Sequence, residues 1–219
     1  MHDMNLSASG SAGQMFLKTC YFQTMEHPQA FDLMGYIADH FSGFGFGGDV
    51  LDQWTLGLRF NIGLEHVDRA VAIYEQALGS ADRIVLISED WPWDSDPKRW
   101  YPLFALPGLI RAQSAPLLSS CQPSQPVEDD DVCTLTWADL SPSALASERL
   151  FQGIANQDHG RTPSVKGRVY ILDPLAELLL HMYDDRGLDI IATSTVPLLP
   201  LYKRFGDWIN RANLDAVNH

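Results

Sequence analysis

Gly167–Asp173 reads GRVYILD, Glu177–Asp185 reads ELLLHMYDD and Gly187–Ser194 reads GLDIIATS. Each run is rich in β-branched and large apolar residues and is too short for a helix, so each is a strand. The links between them are Asp173-Pro174 and Asp184-Asp185-Arg186-Gly187, both of turn-forming composition. Three strands joined by tight turns make an antiparallel meander. Everything else in the chain has to pack against it.

Working outward, Leu198, Leu201, Tyr202, Phe205, Trp208 and Ile209 recur at intervals of three and four, which predicts a closing amphipathic helix from Pro197. Upstream, SPSALASERLFQGIANQDHG gives Leu145, Leu150, Phe151 and Ile154 a helical stripe after a Ser-Pro start, and CTLTWADL before it alternates as a strand. RIVLISED predicts a central strand. HVDRAVAIYEQALG places Val67, Ala70, Val71, Tyr74 and Leu78 along one helical stripe that Gly79 closes. Leu58, Phe60, Ile62 and Leu64 alternate as the first strand, and Phe31 to Phe41 has helical spacing until the glycines of GFGFGG stop it. Residues 102 to 131 carry five prolines and an acidic run, which disfavours long regular structure. Residues 1 to 14 are small and polar without a period and read as a disordered terminus. The expectation is one α+β domain over residues 15 to 219, a mostly antiparallel sheet covered by helices.

With 219 residues, 46% of them hydrophobic and 20% charged, the chain is large enough to bury a core without disulfides or metals. Cys20, Cys121 and Cys133 form no CxxC pair and are odd in number, so no disulfide framework or zinc site is expected and a reducing cytoplasm fits. No apolar run reaches membrane-spanning length and the N-terminus lacks the layout of a signal peptide. The 28 acidic and 15 basic residues give a net charge of -13, which repels nucleic acid and anionic lipid and favours a basic partner. No cofactor motif is present.

Three clusters are candidates for function. His181 with Asp184, Asp185 and Arg186 could supply a general base and carboxylates for a small hydrolase or transferase. Strand alternation points His181 and Asp184 to opposite faces, however, and the same residues suit a structural turn in which Asp accepts backbone N–H bonds and Gly187 takes a positive φ. Asp158 and His159 pair an acid with an imidazole in what reads as a helix exit. GFGFGG lacks the strand, helix and Lys-Ser/Thr context of a phosphate loop. The most distinctive segment is SEDWPWDSDPKRWY, where Glu89, Asp90, Asp94 and Asp96 interleave with Trp91, Trp93, Trp100 and Tyr101. Aromatics rimmed by acids suit a protein interface with a basic partner, and Asp129 and Asp130 extend the acidic surface. The competing reading is a core-covering loop with solvated acids. Association through an exposed Tyr202 and Trp208 stripe is a third possibility; a monomer or small homo-oligomer is expected.

HMYDDRGLDIIATS followed by PLYKRFGDWI, with GIANQD and KGRVYILD before them, resembles a bacterial family catalogued as domain of unknown function 3885. The resemblance is strong over residues 149 to 210 and extends weakly to GLRFNIG and RIVLISEDWPW. Members are similar to small proteins encoded near polymorphic toxins. The resemblance therefore implies an intracellular immunity or inhibitor protein that neutralises a basic toxin by direct binding.

Overall fold

The computed structural model describes residues 31–46, 50–54, 56–63, 65–90, 100–111, 118–121 and 133–210. The N-terminal residues 1 to 14 lie outside them. The fold is α+β. Its elements are α1 (Leu33–His40), α2 (Val50–Gln53), β1 (Gly57–Asn61), α3 (Val67–Leu78), β2 (Ile84–Asp90), β3 (Trp100–Tyr101), β4 (Leu118–Cys121) and β5 (Thr134–Leu140). After these come α4 (Ser147–Ala155), β6 (Ser164–Val165), β7 (Arg168–Asp173), β8 (Leu178–Met182), β9 (Gly187–Ala192) and α5 (Leu198–Phe205).

Seven strands form one sheet in the order β1-β9-β8-β7-β2-β5-β4, every neighbouring pair antiparallel. The meander β7-β8-β9 is its middle, and β2 is an interior strand beside it. Among the described residues, only the two-residue β3 and β6 pair in parallel, apart from the main sheet. Because directions alternate across the sheet, β1 and β2 run the same way, and so do β5 and β7. The connections between those pairs must cross a face, and α3 and α4 are those crossovers.

Alternation along the interior strands feeds two cores. Ile84, Leu86, Val169, Ile171, Leu180 and Ile190 join Phe60 and the apolar sides of α3, α4 and α5 on one face. Val85, Ile87, Tyr170, Leu172, Leu179 and Ile191 meet Leu33, Ile37 and Phe41 of the α1 region on the other. Asp32 starts α1 by accepting a hydrogen bond from Gly35 N at 3.0 Å, which satisfies a donor the helix leaves open. The two meander turns are held by aspartates. Asp173 Oδ1 accepts from Leu175 N at 2.8 Å and Ala176 N at 3.0 Å, and Asp184 Oδ1 accepts from Arg186 N at 2.7 Å.

Several local expectations need correction. Gly187 does not take a positive φ; a side chain there would collide with the Tyr183 ring, so close packing is what requires glycine. Leu145 lies outside α4, beyond a 3-10 turn at Pro142–Ala144, and bridges to Ile110. The closing helix stops at Phe205 rather than running to Ile209. Gly206–Trp208 continues as a 3-10 turn, and Ile209 pairs with Phe60 as an isolated bridge. Trp208 is only half-exposed, stacked on Phe205 at 4.8 Å under the Arg69 guanidinium, so it forms no open stripe with the exposed Tyr202. Within residues 102 to 131, the described part holds a 3-10 turn at Leu103–Ala105 and the edge strand β4.

Candidate functional site

The face covered by α1 carries a line of side chains in register, polar from Arg59 to Tyr170. Arg59, Asp189, His181, Tyr170, Ile87 and Trp137 stand opposite one another across β1, β9, β8, β7, β2 and β5. Arg59 donates to Asp189 through Nε at 2.8 Å and through a terminal nitrogen at 2.7 Å, a two-pronged pair that compensates a carboxylate only 1% exposed. His181 stacks on Tyr170 with centroids 4.4 Å apart, and its Nδ1 donates to the Val169 carbonyl at 2.8 Å, which fixes the proton on that nitrogen. Tyr170 O–H donates to Glu89 Oε2 at 3.0 Å. Phe44 and Phe46, from the described part of the glycine loop, meet the Tyr170 ring edge-on. The described part of that loop packs on the aromatic core.

This placement changes the reading of two candidate groups. Glu89 is fully buried at 0% exposure, so it belongs to the interior polar line and not to an exposed docking surface. The strand ends at Asp90, as the run RIVLISED predicts, and its alternation turns Glu89 to the interior. Asp90 is half-buried at the strand end, beside Gly167, whose φ of 76° and contact with the Glu89 carbonyl leave no room for a side chain. Trp91, Trp93, Asp94, Asp96, Asp129 and Asp130 lie outside the described residues, and Trp100 and Tyr101 are described only as strand backbone.

His181, Asp184 and Asp185 do not come together as a catalytic set. Asp184 is turned onto Arg186, accepting from its Nε at 2.6 Å and from a terminal nitrogen, and the carboxylate raises the guanidinium pKa. Asp185 pairs instead with His159 Nε2 at 3.2 Å. The group that Asp184 and Asp185 do form includes Asp158, with ligand atoms within 4.8 Å, and His181 is no part of it. Arg186 neutralises part of that charge through its pair with the buried Asp184.

Between α3 and α4 lies an open groove of about 530 Å³. Val67, Val71 and Ala72 lie along its floor, and Glu65, Asp68, Glu75 and Glu148 are exposed on its rim, with Gln152 and Arg161 completing the wall. Four carboxylates against one guanidinium leave the groove net negative. The local reason is amphipathicity. In α3, Ala70, Ile73, Tyr74 and Leu78 turn to the core, which leaves Asp68, Val71, Ala72 and Glu75 on one outward stripe. On α4, Leu150, Phe151 and Ile154 are buried, so Glu148 and Gln152 face outward one turn apart. Sequence reasoning found Val67, Ala70, Tyr74 and Leu78 of the buried stripe of α3, but it set the partly exposed Val71 there in place of Ile73 and did not find the acidic stripe beside it. The signal was the i, i+7 placement of Asp68 and Glu75 around two small apolar residues.

No helix among the described residues is long and apolar enough to cross a membrane. The chain is similar to the uncharacterized protein YnaE of Bacillus subtilis (strain 168), with 27% identity over 74 residues, covering 31% of this chain and 35% of that protein. The match thus spans about a third of that relative. No solved structure matches the chain. The family model for domain of unknown function DUF3885 matches residues 34–213, nearly the whole described fold, and the chain belongs to that family.

Proposed function

We propose that this chain is a binding protein of the immunity or inhibitor kind, which acts in the cytoplasm by holding a basic protein toxin against its acidic surface. The observation that carries this reading is the α3–α4 groove. It combines an apolar floor, which rewards burial, with four rim carboxylates that select a cationic partner. The net charge of -13 adds long-range attraction for the same class of partner and repels nucleic acid. Enzyme chemistry at His181 has less support, because that imidazole is buried, 4% exposed, and its Nδ1 proton is committed to a backbone carbonyl.

The test is affinity capture from the native host with the tagged full chain at low and high salt, captured proteins being identified by mass spectrometry. Capture of one basic protein that weakens at high salt, and whose toxicity the chain suppresses on co-expression, supports the reading. Capture of no basic protein, or of one whose toxicity is unchanged, rejects it.

A further inference from the structure

We infer that the α3–α4 groove receives a basic amphipathic helix of the partner, one that presents Lys or Arg at positions i and i+7 and small or aliphatic residues at i+3 and i+4 between them. This inference rests on the binding-protein reading and specifies the structure that the partner brings to it. Asp68 and Glu75 are seven residues apart on α3, about 10 Å along the axis at 1.5 Å per residue. Val71 and Ala72 sit between them, both half-exposed on the groove floor. The stripe therefore reads acid, apolar, apolar, acid with the period of one helix face. A helix laid alongside it matches that period only if its own stripe reads base, apolar, apolar, base, because residues at i, i+3, i+4 and i+7 share a face.

The second wall fits the same occupant. Glu148 and Gln152 lie one turn apart on α4, which runs antiparallel to α3, so a helix in the groove has a carboxylate on each side. At one end Glu65 precedes α3 and Arg161 follows α4. This is the end of the sheet where Ile62 N donates to Arg186 O at 2.8 Å and where Asp158, Asp184 and Asp185 gather. An incoming helix that carries its positive charges along the groove meets Glu65, Asp68, Glu75 and Glu148, with Arg161 the one cation of the lining. The small floor residues let its backbone approach closely; larger side chains at 71 and 72 would fill the space.

The probe is a synthetic alanine-based helical peptide with Lys at i and i+7 and Leu and Ala at i+3 and i+4. Its control has identical composition but the lysines redistributed around the helix. Binding to the full chain is read by fluorescence anisotropy at low salt. The patterned peptide is expected to bind about tenfold more tightly than the control, the size expected of two exposed ion pairs with apolar contact between them. Asp68→Lys with Glu75→Lys should abolish that preference. Asp39→Lys with Asp207→Lys, exposed elsewhere, should preserve it at the same net charge. Ala72→Trp should weaken binding by filling the floor, with thermal melts confirming that each variant is folded. Equal binding of both peptides, equal binding to the groove-reversed variant, or no binding would overturn the inference. Host capture separates the two failures. A toxin held unchanged by the groove-reversed variant removes the groove and keeps the binding reading, whereas no captured toxin removes that reading itself.

Discussion

Tyr170 and Glu89, 81 residues apart in sequence, are joined by a 3.0 Å hydrogen bond in the interior of the sheet, both at 0% exposure. The strand pairing of β2 with β7 brings them together, since Ile87 stands opposite Tyr170 and Glu89 lies diagonally beside it. Tyr170→Phe keeps the ring and removes the donor to a buried carboxyl group. It should cost about 2 kcal/mol, the scale of removing the donor from a buried polar group, read from the urea midpoint at unchanged m-value. Glu89→Lys should prevent folding outright, so that variant says nothing about partner binding. A Tyr170→Phe protein as stable as the wild type would mean that the bond contributes nothing to the fold.

The pair Arg59 and Asp189 makes a sharper demand. Asp189 is 1% exposed and is held by both prongs of the guanidinium. Arg59→Ala leaves the carboxylate buried with its cation removed and should destabilise by about 3 to 5 kcal/mol. Arg59→Lys keeps the charge without the fork and should fall between. Chemical denaturation of the three proteins orders them.

Tyr36 provides a pH test. Its hydroxyl donates to the Pro174 carbonyl at 2.7 Å. Burial foremost, then the Glu177 and Asp173 carboxylates, push its pKa from 10.0 to about 12. A folded-state pKa above the unfolded value means that the protonated hydroxyl stabilises the fold. That contribution is complete below pH 10 and is lost as pH rises through about 12. Tyr36→Phe should therefore be less stable than wild type near neutral pH, by about 1 kcal/mol, and the gap should narrow as pH approaches 12. A gap that is constant over that range would contradict the assignment.

Much of this architecture is legible in the sequence, because its interior strands are short apolar runs bounded by turns. The meander, the interior position of Ile84–Asp90 and the helix at Val67–Leu78 all follow from period and punctuation. What is not legible depends on register. Arg59 looks like a polar outward residue of a first strand until β1 pairs with β9 and sets it opposite Asp189. Glu89 closes a predicted strand and opens an acidic-aromatic segment, and only the pairing with β7, which supplies the Tyr170 hydroxyl, shows that its carboxyl group is interior. His181 and Asp185 look like one cluster, yet His159 reaches Asp185 from the exit of α4. The acidic groove needs two crossover helices that lie far apart in the chain to stand side by side on one face of the sheet. Each helix shows its polar side in the sequence, and only the packing makes that side a wall.

The most direct measurement of the central claim is hydrogen exchange of the chain alone and in complex with its captured host partner. Occupation of the groove predicts slowed exchange along Val67–Leu78 and Ser147–Ala155, with Leu33–His40 on the opposite face unchanged. Protection confined to Leu33–His40 or to the sheet edge, with α3 and α4 exchanging as in the free protein, would contradict it.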